Sequence, residues 1–261
     1  MKYFFSMLMI CCCVAATTGQ ATKFVYMGHG AAVPQLSQRQ KMESSPSERL
    51  MLEKMFDKLQ YSYRAYELLY VAGKSVFEFG SGFYTIKDGV KSIDPNSRSA
   101  GTEYKTYKDA KTHQSTTDIY SDQTTVVDFL SDFAWQCSDE KKKIANFECI
   151  KCTGYSCNDT LTAWYSNEIP ISEGPLIYGG LPGLIVSLQI KQGKADFTYF
   201  LDEIQTIKAS ETPVIAIPTP KKTISWCQHL GIKENNREKD NERILKEAAR
   251  KKKSANEAPK N

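Results

Sequence analysis

The amino-acid sequence predicts a mainly β protein, built on a twisted antiparallel sheet with helical structure only at its margins. Three observations predict this fold class. Tyr, Phe and Val recur from residue 60 onward and often alternate with polar residues, as in strands of a sheet with one solvated face. The gaps between these runs are short, which favours hairpins between antiparallel neighbours. No long helices separate the strands, so a parallel α/β sheet is not expected.

Residues 1–21 have the composition of a secretory signal peptide. A lysine at position 2 precedes an apolar run over residues 3–16, and the small residues Gly19 and Ala21 could direct cleavage after Ala21. The run is too short for a typical transmembrane helix. We therefore predict export to the periplasm or cell envelope. The alternative is lipidation at one of three adjacent cysteines, Cys11, Cys12 or Cys13.

Residues 22–59 are predicted to form an N-terminal segment that contains one helix. Ser45 can cap this helix, Pro46 suits its first position, and Glu48 can reach back to the cap. An apolar stripe at helical spacing follows, formed by Leu50, Leu52, Met55, Phe56 and Leu59. We expect this stripe to pack on the core.

Residues 60–218 form the predicted antiparallel β domain. A turn is expected at Gly80-Ser81-Gly82. The first short strands are predicted near residues 61–71, 75–79 and 83–87. Residues 91–116 are polar and poor in apolar side chains, so we expect a long loop with at most one weak strand. From residue 117 the β pattern resumes and supplies the remaining strands.

Residues 219–261 are predicted to be a basic, polar tail, helical or disordered. Residues 221–261 contain twelve Lys and Arg and six Asp and Glu, a net charge of +6, whereas the other 220 residues carry a net −2. A nucleic-acid-binding core would concentrate positive charge on its folded surface, so no nucleic-acid partner is expected. The cluster from Arg250 to Lys253 could contact an anionic membrane surface or an acidic partner, which makes any membrane contact peripheral.

Five cysteines lie beyond the predicted signal peptide: Cys137, Cys149, Cys152, Cys157 and Cys227. In an exported protein they are candidates for disulfides, and their odd number leaves at least one thiol unpaired. Their spacing does not fix which cysteines pair. Buried thiols and a zinc site are the alternatives. A strand over residues 147–157 would place Cys149 and Cys152 on opposite faces, which argues against a shared metal ion.

Few residues in the chain could act as a catalytic base. The histidines are His29, His113 and His229. Cys227 and His229 could form a thiol–imidazole dyad, but no neighbouring pattern supports a nucleophile. We predict no catalytic residue, no cofactor and no metal site, and the sequence does not indicate an enzyme.

Glycines and prolines crowd residues 174–190, GPLIYGGLPGLIVSLQI, and an aromatic pair precedes them. Such a stretch forms either a tight corner of the sheet or a surface that meets a ligand or partner. The residues concerned are Trp164, Tyr165, Gly174, Pro175, Gly180, Leu181, Pro182, Gly183, Leu184 and Ile185.

These residues resemble the GLPGLI family, also called the Porph_ging family, of exported proteins from Bacteroidetes. The hexapeptide that names the family stands at residues 180–185, after a cysteine-bearing strand, Ala163-Trp164-Tyr165, Glu168-Ile169-Pro170 and Gly174-Pro175. The resemblance covers roughly residues 125–205 and is weaker over 60–90. Cys152 stands where the family commonly has Ala, and Cys157 is an additional cysteine. The thiol cluster is therefore particular to this chain or its relatives, which argues against a metal site shared by the family.

The resemblance implies no established activity. It implies an open, twisted antiparallel sheet, an open half-barrel similar to lipoprotein-carrier folds. Our leading hypothesis is a non-enzymatic binding or carrier protein for an apolar or peptide ligand. One alternative is an accessory protein that docks in an envelope assembly for outer-membrane transport or secretion, through its tail or a sheet edge. Another is a thiol-based metal-binding protein.

Overall fold

The computed structural model describes residues 20–31, 44–59, 61–94, 105–118, 124–129, 133–192, 195–219 and 222–229. The strands in these ranges, named β1 to β13 in chain order, are Ala21–Ala31, Ser62–Val71, Lys74–Lys87, Val90–Ile93, Lys105–Asp109, Gln114–Asp118, Thr124–Phe129, Gln136–Ile144, Phe147–Ser156, Asp159–Ser166, Leu184–Gln192, Ala195–Ile207 and Lys222–Ile224. The helices are α1 (Pro46–Leu59), α2 (Trp226–His229) and a 3-10 turn at Ala209–Glu211.

All described strands belong to one open sheet. Their order is β13-β7-β6-β5-β3-β2-β1-β12-β11-β10-β9-β8, and β4 pairs with β3 beside this path. The pairs are antiparallel except for β13 and β7, which run parallel. The predicted fold class is confirmed, because the protein is mainly β and has a single open, antiparallel-dominated sheet with helices at its margins.

The first strand, β1, lies in the middle of this sheet, between β2 and β12. Its buried residues Phe24 and Tyr26 align with Leu68 and Tyr66 of β2. The predicted β domain therefore begins too late, at residue 60. Both partners of β1 are distant in the sequence, so no local hairpin pattern marked this strand. The tail beyond residue 229 and nearly all of the predicted signal peptide lie outside the described residues.

The predicted N-terminal cap of α1 is confirmed. The Ser45 amide donates to Glu48 Oε2 at 2.8 Å, and the Glu48 amide donates to Ser45 Oγ at 3.3 Å, which forms a reciprocal capping box. The predicted packing of the apolar stripe on the core is wrong for Leu50, which is 53% exposed. The side chains of Met55 and Phe56 fall outside the description. In the described part of the chain, no helix is long and apolar enough to cross a membrane.

The glycines at Gly80-Ser81-Gly82 interrupt the register of one long strand, β3, and do not form the predicted turn. Arg64 pairs with Phe83, whereas Tyr66 pairs with Phe79, so β3 carries the extra residues of a bulge between them. The segments predicted as separate strands near 75–79 and 83–87 are thus two halves of β3. Glycine suits the bulge because Gly82 adopts a φ of +137°.

The predicted loop over residues 91–116 is also wrong, because these residues include all of β5 and most of β4 and β6. The buried face of β5 and β6 is polar and includes Thr106, Lys108, Ser115 and Thr117. The hydroxyls of Thr106 and Thr117 lie 3.0 Å apart and share a hydrogen bond. A search for alternating apolar residues does not detect strands whose buried side chains are hydroxyls and an amine.

The core lies on one face of the sheet, here called the inner face. A row of buried residues crosses it in register: Cys152, Ala163, Leu188 and Tyr199. Tyr66 extends this row. Its ring centroid lies 5.4 Å from that of Tyr199 and 5.2 Å from that of Phe77, on which it stacks. The opposite, outer face carries a second row formed by Trp164, Ser187 and Phe200.

Candidate functional site

Residues 167–183, here called the central segment, connect β10 to β11 and fill the space over the inner face. Their apolar residues are buried in the same cluster as the strands: Ile169, Ile171, Ile177, Tyr178 and Leu181. Two main-chain bonds fold the segment onto the start of β11, from the amides of Leu184 and Ile185 to the carbonyls of Ile169 and Glu173, at 2.9 and 2.8 Å. The central segment is therefore part of the core.

Lys108 of β5 holds the central segment from the other half of the sheet. Its Nζ lies 2.7 Å from Glu173 Oε2 and donates to the carbonyl oxygens of Gly174 at 2.5 Å and Tyr178 at 3.0 Å. The side chains of Lys108 and Glu173 are only 0% and 3% exposed. Burial lowers the pKa of Lys108, and the carboxylate of Glu173 opposes this shift. A buried amine is tolerated because all these acceptors surround it.

The side chains of Trp135 and Tyr26 also donate hydrogen bonds to the backbone of the central segment and of the start of β11. Trp135 Nε1 donates to the carbonyl of Gly179 at 2.8 Å, and the Tyr26 hydroxyl donates to the carbonyl of Ile185 at 2.7 Å. Burial, with a smaller contribution from Glu173, raises the pKa of Tyr26 well above its ordinary value. The phenol therefore remains a donor. Lys108, Trp135 and Tyr26 thus donate to the protein's own backbone, which gives them a structural role.

Most of the residues singled out from the Gly- and Pro-rich stretch are buried: Tyr165, Gly174, Pro175, Leu181, Gly183, Leu184 and Ile185. Gly180 and Pro182 are exposed. Gly183 passes so close to β10 that an added Cβ would overlap the carbonyl oxygen of Ser166. The hexapeptide thus passes close to β10 at Gly183, and Gly180 and Pro182 face the solvent.

The aromatic pair does not form a single wall, because Trp164 and Tyr165 point to opposite faces of β10. Tyr165 is buried in the core. Trp164 is partly exposed, and the Nζ atoms of Lys142 and Lys151 each lie 5.7 Å from its ring centroid. Lys151 also pairs with Glu140 at 2.8 Å. Trp164 therefore belongs to a basic surface on the outer face.

The predicted disulfides are confirmed, since Cys137 bonds to Cys152 and Cys157 to Cys227. Cys149 keeps a buried free thiol, and burial raises its pKa to about 11. Cysteines in disulfides cannot supply thiolate ligands, and the described residues contain no group of three or more His, Cys, Asp and Glu able to hold a metal ion. The bond at Cys227 also rules out the thiol–imidazole dyad with His229.

A cavity of about 600 Å³ has strands β6 and β7 on one side and the chain that follows the 3-10 turn on the other. It is lined by Gln114, Thr116, Val127, Ile217, Pro218, Thr219, Thr223, Ile224, Ser225 and Gln228. These side chains are hydroxyls, amides and aliphatic groups, without a formal charge. The volume lies within the range of about 300–1,000 Å³ typical of ligand pockets.

Sequence analysis did not identify this cavity. Ile217 and Pro218, which form one wall, belong to the proline-rich residues 213–220, and such a composition indicates only irregular chain. The opposite wall includes Gln114 and Thr116 of β6, which fall within the predicted loop. No local sequence signal marks the cavity, because Gln114 and Thr116 are far in the sequence from Ile217 and Pro218.

The comparisons with known proteins agree with the predicted resemblance. The family model described as "Protein of unknown function (Porph_ging)" matches residues 155–187, which run from the end of β9 through the central segment into β11. The resemblance is therefore confirmed over this stretch. No curated protein matches the chain.

Two solved structures of PNGF-II match this chain at low sequence identity and low TM-score. The structure in space group C2 has a TM-score of 0.44 and 10% identity, over 81% of this chain and 32% of that one. The structure in space group P21 has a TM-score of 0.42 and 12% identity, over 72% of this chain and 29% of that one. This chain thus spans about a third of their length. The likeness concerns the fold alone.

Proposed function

We propose that this protein is a non-enzymatic binding protein of the cell envelope whose ligand is an extended peptide without charged side chains. The cavity between β6, β7 and residues 217–228 carries this proposal. Export to the periplasm or envelope is part of it, and the two disulfides support an oxidising compartment.

The lining of the cavity matches the chemistry of a peptide backbone. Thr116 offers a hydroxyl that can donate and accept. Ser225 Oγ and Gln228 Oε1 each accept a main-chain amide at the start of α2, so the Ser225 hydroxyl and the Gln228 NH2 serve the cavity as donors. Val127 and Ile224 add apolar surface for side chains. Because this lining holds no formal charge, it offers no ion-pair partner to a charged ligand, whose desolvation would then be costly.

A peptide is favoured over an acyl chain because of what fills the interior of the sheet. In an open half-barrel that carries a lipid, the apolar ligand would occupy the inner face. Here the central segment covers that face with Ile171, Ile177 and Leu181, and Lys108 fixes it in place. The apolar-ligand form of the hypothesis would require this segment to leave.

The proposal is tested by isolating the full chain from native envelopes and analysing bound small molecules by mass spectrometry. We expect peptides in the extract. Thr223→Trp, which narrows the cavity, should abolish their recovery, whereas Thr206→Trp at an exposed position of β12 should not. Recovery of lipid in place of peptide, or peptide recovery unaffected by Thr223→Trp, would overturn the proposal.

The alternative function, an accessory protein that docks in an envelope assembly, is supported by another part of the molecule, the edge strand β8. This strand pairs on one side with β9 and ends the described sheet. The predicted contribution of the tail concerns residues outside the described ranges. Pull-down of envelope proteins with and without residues 233–261 tests that contribution, and an unchanged partner set would assign docking to the folded part.

A further inference from the structure

We infer that the outer edge of β8 binds an acidic, extended segment of a partner protein, which adds to the sheet as a further strand. This inference specifies the partner chemistry for the docking alternative and does not depend on the peptide cavity. It rests on two features of β8: the outward main-chain groups of Lys141 and Lys143, and the exposed lysines at 141–143.

The edge of β8 is accessible along most of its length. Residues 137–143 are all exposed, and within the described chain β8 has a strand partner only on its β9 side. The Cys137–Cys152 disulfide ties the two strands together at the far end from their turn. The register shifts between Cys137 and Lys141, and residues 141–144 then pair with β9 without interruption. This part of the edge is in a strand conformation before any partner arrives, which reduces the ordering cost of strand addition.

The turn between β8 and β9 determines which main-chain groups point outward. Ala145 and Asn146 have φ values of 48° and 74°, as in a two-residue type I′ hairpin. In such a hairpin the flanking pair, Ile144 and Phe147, exchanges both main-chain bonds, and the next pair, Lys143 and Glu148, exchanges none. The N–H and C=O of Lys143 therefore face away from β9.

The environment of Glu148 supports this assignment. Its amide also points away from the ladder between β8 and β9, and it donates to Glu168 Oε1 at 2.7 Å. By the same alternation, the main-chain groups of Lys141 face outward like those of Lys143. The outward groups of β8 thus coincide with two lysines.

The C-terminal half of this edge favours carboxylates. Lys141, Lys142 and Lys143 are consecutive and exposed, and Asp139 and Glu140 precede them. Glu140 pairs with Lys151 at 2.8 Å, and the ammonium of Lys142 extends back over β9 toward Trp164 of β10. Lys141 and Lys143, which also carry the outward main-chain groups, are therefore the cations placed to meet an acidic segment.

Charge disfavours the chain's own tail as the occupant of this edge. A second copy paired antiparallel through β8 could set Lys141 opposite Asp139, so a stable dimer of the free protein, dissociated by Lys141→Glu, would overturn the inference. The chain's own tail carries a net charge of +6 over residues 221–261. Edge lysines generally discourage strand pairing with neutral or basic strands, and the same charges favour an acidic one.

The test uses the full chain and a fluorescent peptide that alternates Glu with Val over nine residues, the length of β8. Anisotropy should show saturable binding that weakens with salt. The same peptide with Lys in place of Glu should not bind. Lys141→Glu should weaken binding about tenfold or more, since it reverses one charge beside the outward main-chain groups.

Lys143→Pro removes the outward N–H without touching a bond to β9, and Lys143→Ala removes the same charge but keeps the N–H. We expect the proline variant to bind at least about tenfold more weakly than the alanine variant, with both folded by circular dichroism. No binding of the acidic peptide, equal binding of the lysine peptide, or equal affinity of the two Lys143 variants would overturn the inference. Thr223→Trp should leave this binding unchanged, so failure of the cavity proposal is distinguishable.

Discussion

Lys108 and Glu173 form an ion pair inside the protein, with Nζ and Oε2 2.7 Å apart and both side chains almost fully buried. Lys108 belongs to β5, in one half of the sheet, and Glu173 belongs to the segment that leaves β10, in the other half. The pair therefore connects the two halves across the interior. The carbonyls of Gly174 and Tyr178 complete the surroundings of the amine.

Lys108→Met should destabilise the fold by about 3–5 kcal/mol, because it leaves the Glu173 carboxylate and two carbonyls buried without their donor. Urea denaturation followed by circular dichroism measures this. The matched control is Lys105→Met on the same strand, whose pair with Glu78 at 2.8 Å is 42% and 44% exposed. That change should cost less than about 1 kcal/mol. Equal losses for the two variants would contradict the role assigned to Lys108.

The burial of Lys108 could not be predicted from the sequence. Its neighbours are polar, and a lysine in such a stretch is ordinarily solvated. The acceptors that make its burial possible belong to the central segment, so only the folded chain brings them together. The strands β9 to β12 were predictable because their own residues alternate between apolar and polar, whatever their partners.

The glycine- and proline-rich hexapeptide was located correctly from sequence, but its divided exposure was not. Leu181 is buried and Pro182, the next residue, is exposed. Composition indicates that a chain turns sharply, and it does not indicate which side of the turn faces solvent. That depends on the close approach between Gly183 and Ser166, which is a tertiary contact.

Gly183→Ala should destabilise the protein by about 2–4 kcal/mol, since the added methyl overlaps the Ser166 carbonyl and forces the backbone apart. Pro182→Ala, at the exposed neighbouring position, should change stability by less than about 1 kcal/mol. Thermal unfolding of both variants checks this difference. If Gly183→Ala retains the wild-type melting temperature, the backbone at Gly183 can move away from the Ser166 carbonyl without loss of stability.

Cys149 should be unreactive toward a thiol reagent in the folded protein at pH 8, because it is buried and its pKa is raised to about 11. Thiols are counted in a variant that carries Cys11→Ser, Cys12→Ser and Cys13→Ser, so that these three cysteines do not contribute to the count. Unfolding in guanidinium without reductant should expose one thiol, and Cys149→Ala should remove it. More than one thiol on unfolding would show that a disulfide is not formed, and a rapid reaction in the folded state would show that Cys149 is accessible.

Asp159 should make stability depend on pH. Its carboxyl is buried, and burial raises its pKa from 3.8 to about 6, while a hydrogen bond from Gln192 acts in the opposite direction. Because the folded state holds the proton more tightly than the unfolded state, this group's contribution is fully present below about pH 4 and is lost as pH rises through 6.

Asp159→Asn keeps an oxygen for Gln192 and removes the charge that is costly to bury. At pH 7.5 the variant should be more stable than the wild type by about 1–3 kcal/mol, and this advantage should shrink as pH falls from 6 to 4. Urea denaturation of both proteins at several pH values gives the difference directly. Asp139→Asn, on the exposed edge strand, is the control for the same replacement at the surface and should change stability by less than about 0.5 kcal/mol. A constant difference between Asp159→Asn and the wild type across this range would mean that the carboxyl of Asp159 titrates alike in the folded and unfolded chains.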